Sequence, residues 1–431
     1  MKNKELKKIV MLLITVFVTI SGMAQVKVNR ELKGFITQSF VYFPKIKEVE
    51  NTITTAQEKI ALTQLNKLPE VTGNASYNYI RPKIVIPLGG VDFQFAPVSN
   101  INTAVNASYM LFDFGRIKAS IERSKDDLLY ARHNVDNVKS KLAYQVANVY
   151  YNIVYLQKAI SIQDSVISFL NDNKQIVESK LKNGDALKID LLNIQANIDN
   201  EGNRKVDLLN SLQKQYNLLE YTTGIKQSTG QLFDFDITLI DANAALGSAQ
   251  SSNVDFILAR DKIKQSQSDL NIVKLGDKPS IDLHASSGVK NGYVPNVDMM
   301  KFNYLAGVSL SVPIYNAGKT KQQIRLQQNI VKQNELAVES LSSDYKKDID
   351  QAITDVKSNY ERITNTQGQI EEAKYAQQLA AIRFKNGVGT NLELTNSSTN
   401  EQRAELTKLQ YEYQLCLAKV ELARLMGYQY W

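Results

Sequence analysis

Apolar residues recur at helical spacing from Arg116 to Leu181, a stretch that contains no proline. At about 1.5 Å per residue, one helix of this length would be roughly 100 Å long, several times the width of an ordinary domain. Two interleaved series of period seven are apolar at eleven of thirteen positions, which is typical of coiled-coil packing. The series are Val135, Leu142, Val149, Leu156, Gln163, Leu170, Val177 and Val146, Ile153, Ile160, Ile167, Lys174, Leu181. The pattern predicts a helix that lies along partner helices over its whole length.

The same pattern returns 203 positions later, and three glycines shift by the same interval. The glycine pairs are Gly115 and Gly318, Gly184 and Gly387, and Gly224 and Gly427. An offset that holds without gaps indicates an internal duplication. The 431 residues are therefore expected to form one body of two repeats rather than unrelated domains.

Strict alternation of apolar and polar residues precedes each long helix. It predicts four strands in two hairpins, 70–114 and 280–317, each strand long enough to cross a bilayer when tilted. Alternation alone would also suit two soluble hairpins in a sandwich, but a secretory signal and the very long helices favour a membrane. Four strands cannot close a barrel, and an open edge cannot face lipid. Several chains are therefore expected to pool their hairpins.

The other elements complete the two repeats, and all eight prolines lie outside the long helices. Each repeat begins with a short opening helix and ends with a return helix that follows the long helix. Because the opening and return helices together approach the length of the long helix, the two are expected to stack end to end beside it. The motif Leu232–Phe235 echoes Leu111–Phe114 out of frame and is interpreted as chance. The predicted order is a signal peptide at 1–24; a first repeat at 25–224 with helix 46–67, hairpin 70–114, long helix 116–181 and return helix 188–223; a linker at 225–253; and a second repeat at 254–431 with helix 254–275, hairpin 280–317, long helix 319–384 and return helix 391–426.

The first residues have the features of a secretory signal. Lys2, Lys4, Lys7 and Lys8 precede the apolar run Ile9–Ile20, and small residues follow at the usual cleavage positions. The net charge of +7 falls when the signal is removed, which argues against nucleic acid as a partner. The single cysteine, Cys416, cannot form an internal disulfide. No later apolar run approaches twenty residues, so no transmembrane helix is expected.

No motif for catalysis, metal binding or cofactor binding emerges. Gly318-Lys319-Thr320 resembles the end of a phosphate-binding loop, but Pro313 stands where that loop needs glycine. His133 and His284 have no partner at ligand spacing, and no glycine-flanked nucleophilic serine is present. The sequence predicts a protein that is not an enzyme and that uses no cofactor.

Acidic residues follow the turns at the far ends of the long helices. Asp185 and Asp190 follow the first turn, and Glu393 stands 203 positions beyond Asp190. Thr390–Glu393 has the form of a capping box, and acids suit a first helical turn, so capping alone is one interpretation. The other is functional. In an oligomer these acids would repeat around an axis and form a carboxylate ring that gates or selects.

The order of elements, together with Gly-Val-Ser-Leu-Ser-Val-Pro-Ile-Tyr-Asn-Ala-Gly-Lys at Gly307–Lys319, resembles the TolC-type outer-membrane efflux proteins. The match extends from about Glu31 to Gly427. This resemblance implies a mainly α fold with a small membrane β part, in which duplicated helical hairpins and two β-hairpins per chain trimerise into a 12-stranded barrel and an α-helical tunnel. It implies outer-membrane lipid, a periplasmic adaptor and an inner-membrane pump as partners.

The resemblance also implies roles for residues at the tips. Adaptor docking maps onto Gly184, Gly387 and Val388-Gly389-Thr390, whereas Asn183–Ala186 in the first repeat departs from the family motif. Gating maps onto Asp190 and Glu393 with Asp185 nearby, and Asn396 stands where a second acid can occur in relatives.

The sequence thus predicts a passive exit duct of a tripartite efflux or type I secretion system. The duct would lie in the bacterial outer membrane and extend into the periplasm. The alternative is a secreted periplasmic coiled-coil scaffold or adaptor without a pore. Adaptors have one helical hairpin beside a separate β domain, whereas here the hairpin is doubled and strands lead directly into it. A hydrolase that uses the tip carboxylates is a weaker alternative, because no pocket-forming pattern accompanies them.

Overall fold

The computed structural model describes residues 26–431 except 229 and 231. The predicted signal peptide lies outside these residues. The described elements are α1 (Arg30–Tyr42), α2 (Pro44–Leu65), β1 (Glu70–Tyr79), β2 (Val85–Leu88), β3 (Val91–Gln94), β4 (Ser99–Phe112), α3 (Arg116–Lys182), α4 (Lys188–Thr223), α5 (Ala242–Ser252), α6 (Val254–Lys274), β5 (Ser280–Lys290), β6 (Lys301–Ser311), α7 (Lys319–Lys385) and α8 (Asn391–Leu425). They divide into two compact units. Unit 1 comprises residues up to Val49 with Asn134–Ile257 and Glu339–Trp431, and unit 2 comprises Glu50–His133 and Leu258–Val338. Each unit draws on both repeats.

The long helices α3 and α7 contain 67 residues each. Within unit 1, every member of the period-seven series that begins at Val135 is buried. That series includes Gln163, and the equivalent positions of α7 include buried Asn359 and Thr366. The coiled-coil prediction is therefore confirmed for this face, with polar residues at three of its buried positions.

A repeated joint links each return helix to an opening helix. In the first repeat, a side chain at Gly224 would come within 2.9 Å of the ring of Tyr42, the last residue of α1 and two residues before α2. In the second repeat, a side chain at Gly427 would come within 2.6 Å of the backbone nitrogen of Asn253, which directly precedes α6. Both glycines have a φ of 76°, in the left-handed region that favours glycine. The end of each return helix thus meets the start of an opening helix, as the length argument predicts.

The first two helices of the chain differ from the prediction. The first opening helix begins at Pro44 and ends at Leu65, so the predicted bounds 46–67 are two residues late at each end. Proline is favoured at the first helical position because its missing N–H needs no partner there. Helix α1 was not predicted. Asn29 caps it by accepting a hydrogen bond from the Glu31 backbone N–H.

The predicted linker 225–253 is more structured than its weak periodicity indicates. It contains α5, which Asp241 caps by accepting a hydrogen bond from the Asn243 backbone N–H. It also contains Phe235, which is buried and packs edge-on against Tyr151 and Tyr430. Phe235 is thus a core residue of unit 1, and the interpretation of Leu232–Phe235 as a chance echo stays a prediction.

The four predicted strands form one antiparallel sheet in the order β1-β4-β5-β6 within unit 2. The hairpins of the two repeats meet at the β4–β5 pair, whose register shifts once between Met110 and Phe112. The loop after β1 contains a further two-stranded hairpin, β2–β3, which the sequence did not predict.

Candidate functional site

The β-sheet of unit 2 has two chemically different faces. Register places the apolar residues of all four strands on one side, so that Tyr109 lies opposite Leu283 and Leu283 opposite Val308. Tyr304 on this side is 81% exposed, which is unusual for an aromatic residue unless another surface covers it. The larger members of the apolar face are Val71, Tyr77, Val105, Tyr109, Leu283, Val289, Phe302, Tyr304, Val308 and Leu310.

The opposite face is polar over most of its area. His284 lies on this face across from Gly307, where a side chain would come within 2.6 Å of the imidazole Nε2, so the glycine leaves room for the ring. Met110 and Leu305 are the larger apolar exceptions. The polar members include Thr72, Asn74, Ser76, Asn78, Asn102, Asn106, Ser108, Asp282, His284, Ser286, Asn303 and Ser309. A sheet with one apolar and one aqueous face is the pattern of a strand layer between lipid and water.

The two outer strands of this sheet are β1 (residues 70–79) and β6 (residues 301–311). Within the described chain, the outer edge of each has no partner strand. Among the strands that the structure describes, β1 pairs with β4 alone and β6 pairs with β5 alone. Unpaired backbone N–H and C=O groups on an exposed edge are a template for another strand.

The second candidate region is the pair of turns at the far ends of α3 and α7, in unit 1. Gly184 and Gly387 adopt positive φ angles of 83° and 78°, which lets the chain reverse directly after each long helix. The turns close through backbone hydrogen bonds from Asp185 to Lys180 (2.8 Å) and from Val388 to Arg383 (3.0 Å). The predicted glycine turns are therefore present in both repeats.

The two tips pack against each other around a small apolar cluster. Val177, Ile194, Phe384 and Leu394 are buried there, one from each of α3, α4, α7 and α8. Lys180 donates a hydrogen bond from Nζ to the Phe384 carbonyl (2.7 Å), and Asn173 donates one to Asn391 Oδ1 (3.0 Å). These contacts bring the candidate residues of both repeats to one end of unit 1.

The tip acids make capping contacts. Thr390 Oγ1 accepts a hydrogen bond from the Glu393 backbone N–H (3.1 Å), and the Glu393 carboxylate accepts one from the Thr390 N–H (3.5 Å), which completes the predicted capping box. In the first repeat Leu187 has no side-chain acceptor, so only the reciprocal bond from its N–H to Asp190 Oδ2 exists (3.1 Å). Capping leaves room for a further role, because Glu393 remains about half exposed at 52%.

The other predicted tip residues are also accessible. Asp185 and Asn396 are exposed, and so are Gly184, Gly387, Val388 and Thr390, whereas Gly389 is half-buried. Leu187, Leu192 and Leu392 add exposed apolar surface beside them. These leucines were not predicted as tip residues, although their position at or near the start of α4 and α8 could have indicated them.

Above the tips, a buried polar cluster links three helices. Gln163 of α3 donates a hydrogen bond to Glu201 Oε2 of α4 (2.6 Å), and Gln402 of α8 donates to both Gln163 Oε1 and Glu201 Oε2 (3.1 Å each). Burial raises the pKa of Glu201, but these hydrogen bonds and Arg204 outweigh it and hold the pKa below its ordinary value. The ionised carboxylate thus explains why a glutamine occupies a core position in α3.

The two histidines lie on different elements, His133 in α3 and His284 in β5. His133 Nδ1 lies 2.6 Å from Asp261 Oδ2, which gives it one carboxylate partner. No group of three or more potential ligand residues capable of holding a metal ion occurs in the part of the chain that the structure describes. Among the helices described in α1 to α8, none combines the length and apolar character of a membrane-spanning helix.

The family model of outer membrane efflux proteins matches the chain twice, over residues 42–224 and 245–428. The chain belongs to the outer membrane efflux protein family. The two matches begin at residues 42 and 245, which are 203 positions apart, the same interval that separates the paired glycines.

Two relatives of this efflux protein align over more than four fifths of their length. The outer membrane efflux protein BepC of Brucella suis biovar 1 is 20% identical over 94% of this chain and 86% of its own. The cation efflux system protein CusC of Escherichia coli K12 is 19% identical over 93% of this chain and 87% of its own.

Solved structures show the same fold. A CusC structure superposes with a TM-score of 0.78 at 17% identity, over 95% of both chains. A membrane protein from Pseudomonas aeruginosa gives a TM-score of 0.80 at 16% identity, over 95% of this chain and 94% of the other. The predicted mainly α fold with duplicated helical hairpins and a small β part is confirmed. As a member of the efflux family, the protein is a channel of the outer membrane that extends into the periplasm, and its family consists of efflux channels rather than enzymes.

Proposed function

We propose that this efflux protein is the passive exit duct of a tripartite efflux or type I secretion system and works as a homotrimer. The observation that carries the proposal is the four-stranded sheet, which has one apolar face, one polar face and two open edges. Such a sheet cannot sit in lipid alone, because each unpaired backbone group there would be very unfavourable. If β6 of each copy pairs with β1 of the next, three copies give twelve strands and no edge.

The proposed path continues from the strands into the helices. β4 leads into α3, and β6 leads into α7, each through a short turn. In each repeat, therefore, one strand continues directly into a long helix. In the trimer the polar face of the sheet would line water, and the tips would lie at the periplasmic end. We assign adaptor docking to Gly184, Gly387, Val388, Gly389 and Thr390, with the exposed Leu187 and Leu392 as apolar contacts. Energy for transport would come from an inner-membrane pump.

Small molecules and polypeptides both fit a passive duct. CusC is named as part of a cation efflux system, and another relative, from Aggregatibacter actinomycetemcomitans, is named toxin and drug export protein A. The alternative, a soluble scaffold or adaptor without a pore, would leave the exposed apolar face of the sheet unexplained.

Replacing Asp190 and Glu393 together by alanine is expected to raise single-channel conductance about two-fold or more, or to lower cation preference. The reason is that the proposed trimer would lose six carboxylates from its narrow end. Planar-bilayer recordings with purified protein measure both quantities.

Thr390→Ala is the matched control for this experiment. It removes the hydroxyl that caps α8 at 3.1 Å but keeps both acids. If capping is the only role of the acids, the Thr390 variant and the double variant will change the currents equally or not at all. A change confined to the double variant supports a gate.

A further inference from the structure

The charged residues of the sheet are sorted by sign along its strands. β1, β4, β5 and β6 contain four aspartate, glutamate or lysine residues and no arginine; the four are Glu70, Asp282, Lys290 and Lys301. All four lie on the polar face. Glu70 is in register with Ser108, and Ser108 is in register with His284. Asp282 and Lys290 are two and six residues from His284 on the same strand, so they share its face. The acids occupy the strand ends next to the helices, and the lysines occupy the ends next to the loops.

The two lysines are direct cross-strand neighbours. Lys290 is the last residue of β5, and it pairs in register with Lys301, the first residue of β6. Residues opposite each other on one face of an antiparallel pair have Cβ atoms about 4.5–5.5 Å apart, and like charges there are destabilising. The arrangement therefore weakens the hairpin locally, and folding alone gives no reason for it.

Neither lysine is held by a carboxylate in ion-pair contact within the described residues. Lys290 instead places its ammonium 5.1 Å from the centroid of the Tyr293 ring. The facing residue on the next strand is neutral Asn102. Both lysines are half-buried rather than fully extended into solvent. Two adjacent ammonium groups that are not in contact with a carboxylate attract anions.

We propose that Lys290 and Lys301 form an anion-attracting site at the loop end of the conduit, for solutes that carry phosphate or carboxylate groups. The inference rests on the proposed trimer, in which three copies would bring six ammonium groups to one rim of the water-filled path. The position of the lysines on the polar face favours a dissolved solute over a membrane lipid as the ligand. Lysines that bind lipid phosphates would extend from the apolar side of the sheet, where Val289 and Phe302 lie instead.

The test is block of single-channel current by tripolyphosphate in planar bilayers at about 0.1 M KCl, where the Debye length is about 10 Å. We expect tripolyphosphate to block the unsubstituted channel from one side only, since the lysines lie at one end of the strands. Replacing both Lys290 and Lys301 by glutamine should raise the half-blocking concentration about ten-fold. The block should largely disappear at 1 M KCl, where screening shortens the Debye length to about 3 Å.

Lys278→Gln is the matched control, because it removes the same charge just before β5, at the opposite end of that strand. It should leave the block unchanged. Equal block of the Lys290/Lys301 double variant and the unsubstituted channel, or equal block from both sides, would overturn the lysine site while leaving the conduit intact. Absence of any current from the unsubstituted protein would instead contradict the conduit itself.

Discussion

Replacing Gly288 by alanine is expected to reduce folded protein in the outer membrane about five-fold or more. Gly288 pairs with Ala104 across the β4–β5 boundary, where the hairpins of the two repeats meet. A methyl group there would lie 2.7 Å from Ala104 Cα and would also collide with the Thr103 carbonyl. Both obstacles are backbone atoms, so the strands themselves would have to separate. Overpacking of this kind typically destabilises a protein by about 1–3 kcal/mol, and such changes alter cellular abundance several-fold.

Gly73→Ala provides the matched control for this substitution. Gly73 lies in β1 of the same sheet, and a methyl group at this position would meet nothing within 4 Å. Immunoblots of purified outer membranes, with trypsin resistance as the test of folding, should show normal amounts of the Gly73 variant. If both variants accumulate to the same level as the unsubstituted protein, that result would contradict the close contact between the backbones of β4 and β5 at Gly288.

Replacing Asn253 by aspartate is expected to destabilise unit 1 by about 3 kcal/mol at neutral pH. Asn253 is buried between α5 and α6, and its amide group donates hydrogen bonds to the carbonyls of Arg424 (2.9 Å) and Leu425 (3.0 Å) at the end of α8. Its Oδ1 accepts hydrogen bonds from the Asp255 N–H and the Tyr345 hydroxyl. A carboxylate has nearly the same shape but cannot donate. Two carbonyls would therefore lose their donor and face a negative charge.

The effect of this substitution should depend on pH. Burial and the two carbonyls would raise the folded-state pKa of the introduced carboxyl above its unfolded value of about 3.9. A group with a raised folded-state pKa stabilises the protein most below the unfolded pKa, and that stability is lost as pH rises through the folded pKa. The difference in thermal stability from the unsubstituted protein should therefore be smaller at pH 4.5 than at pH 7.5.

Thermal unfolding followed by circular dichroism in detergent measures this difference. Asn243→Asp is the control, because Asn243 is exposed in the first turn of α5, where an acid is tolerated. A loss of stability that is equal for both variants, or that does not change with pH, would contradict the role of the Asn253 amide.

The sequence predicts the fold wherever a regular pattern extends over many residues. Period seven places the long helices, alternation places the four strands, and the constant offset shows the duplication. The glycine tips and the capping box of Thr390 and Glu393 could also be predicted from the sequence, since both depend on residues close together in the chain.

Elements that depend on distant partners could not be predicted in the same way. Gln163 is buried because Glu201 and Gln402 come from two other helices, and no local signal pairs them. Phe235 is a core residue because Tyr151 and Tyr430 surround it. Helix α5 is different. Asp241 is a normal N-cap residue, and it could have indicated the start of that helix.

The central claim is that neighbouring copies complete one another's sheet, and disulfide cross-linking across the proposed β6–β1 junction tests it most directly. Cys416, the only cysteine, is buried, and burial raises the pKa of its thiol, so it should remain unreactive. One cysteine replaces Ala75 in β1, and a second is moved in steps along β6 from Tyr304 to Val308. The Ala75→Cys, Thr103→Cys pair is the positive control, since these residues pair within one chain.

Outer membranes carrying each variant are oxidised and analysed by non-reducing gel electrophoresis. We expect at least one β6 position to give covalent dimers and trimers, and no larger species, because the ring closes at three copies. Monomers at every β6 position, while the Ala75–Thr103 control forms its intrachain disulfide, would contradict the shared sheet and with it the conduit.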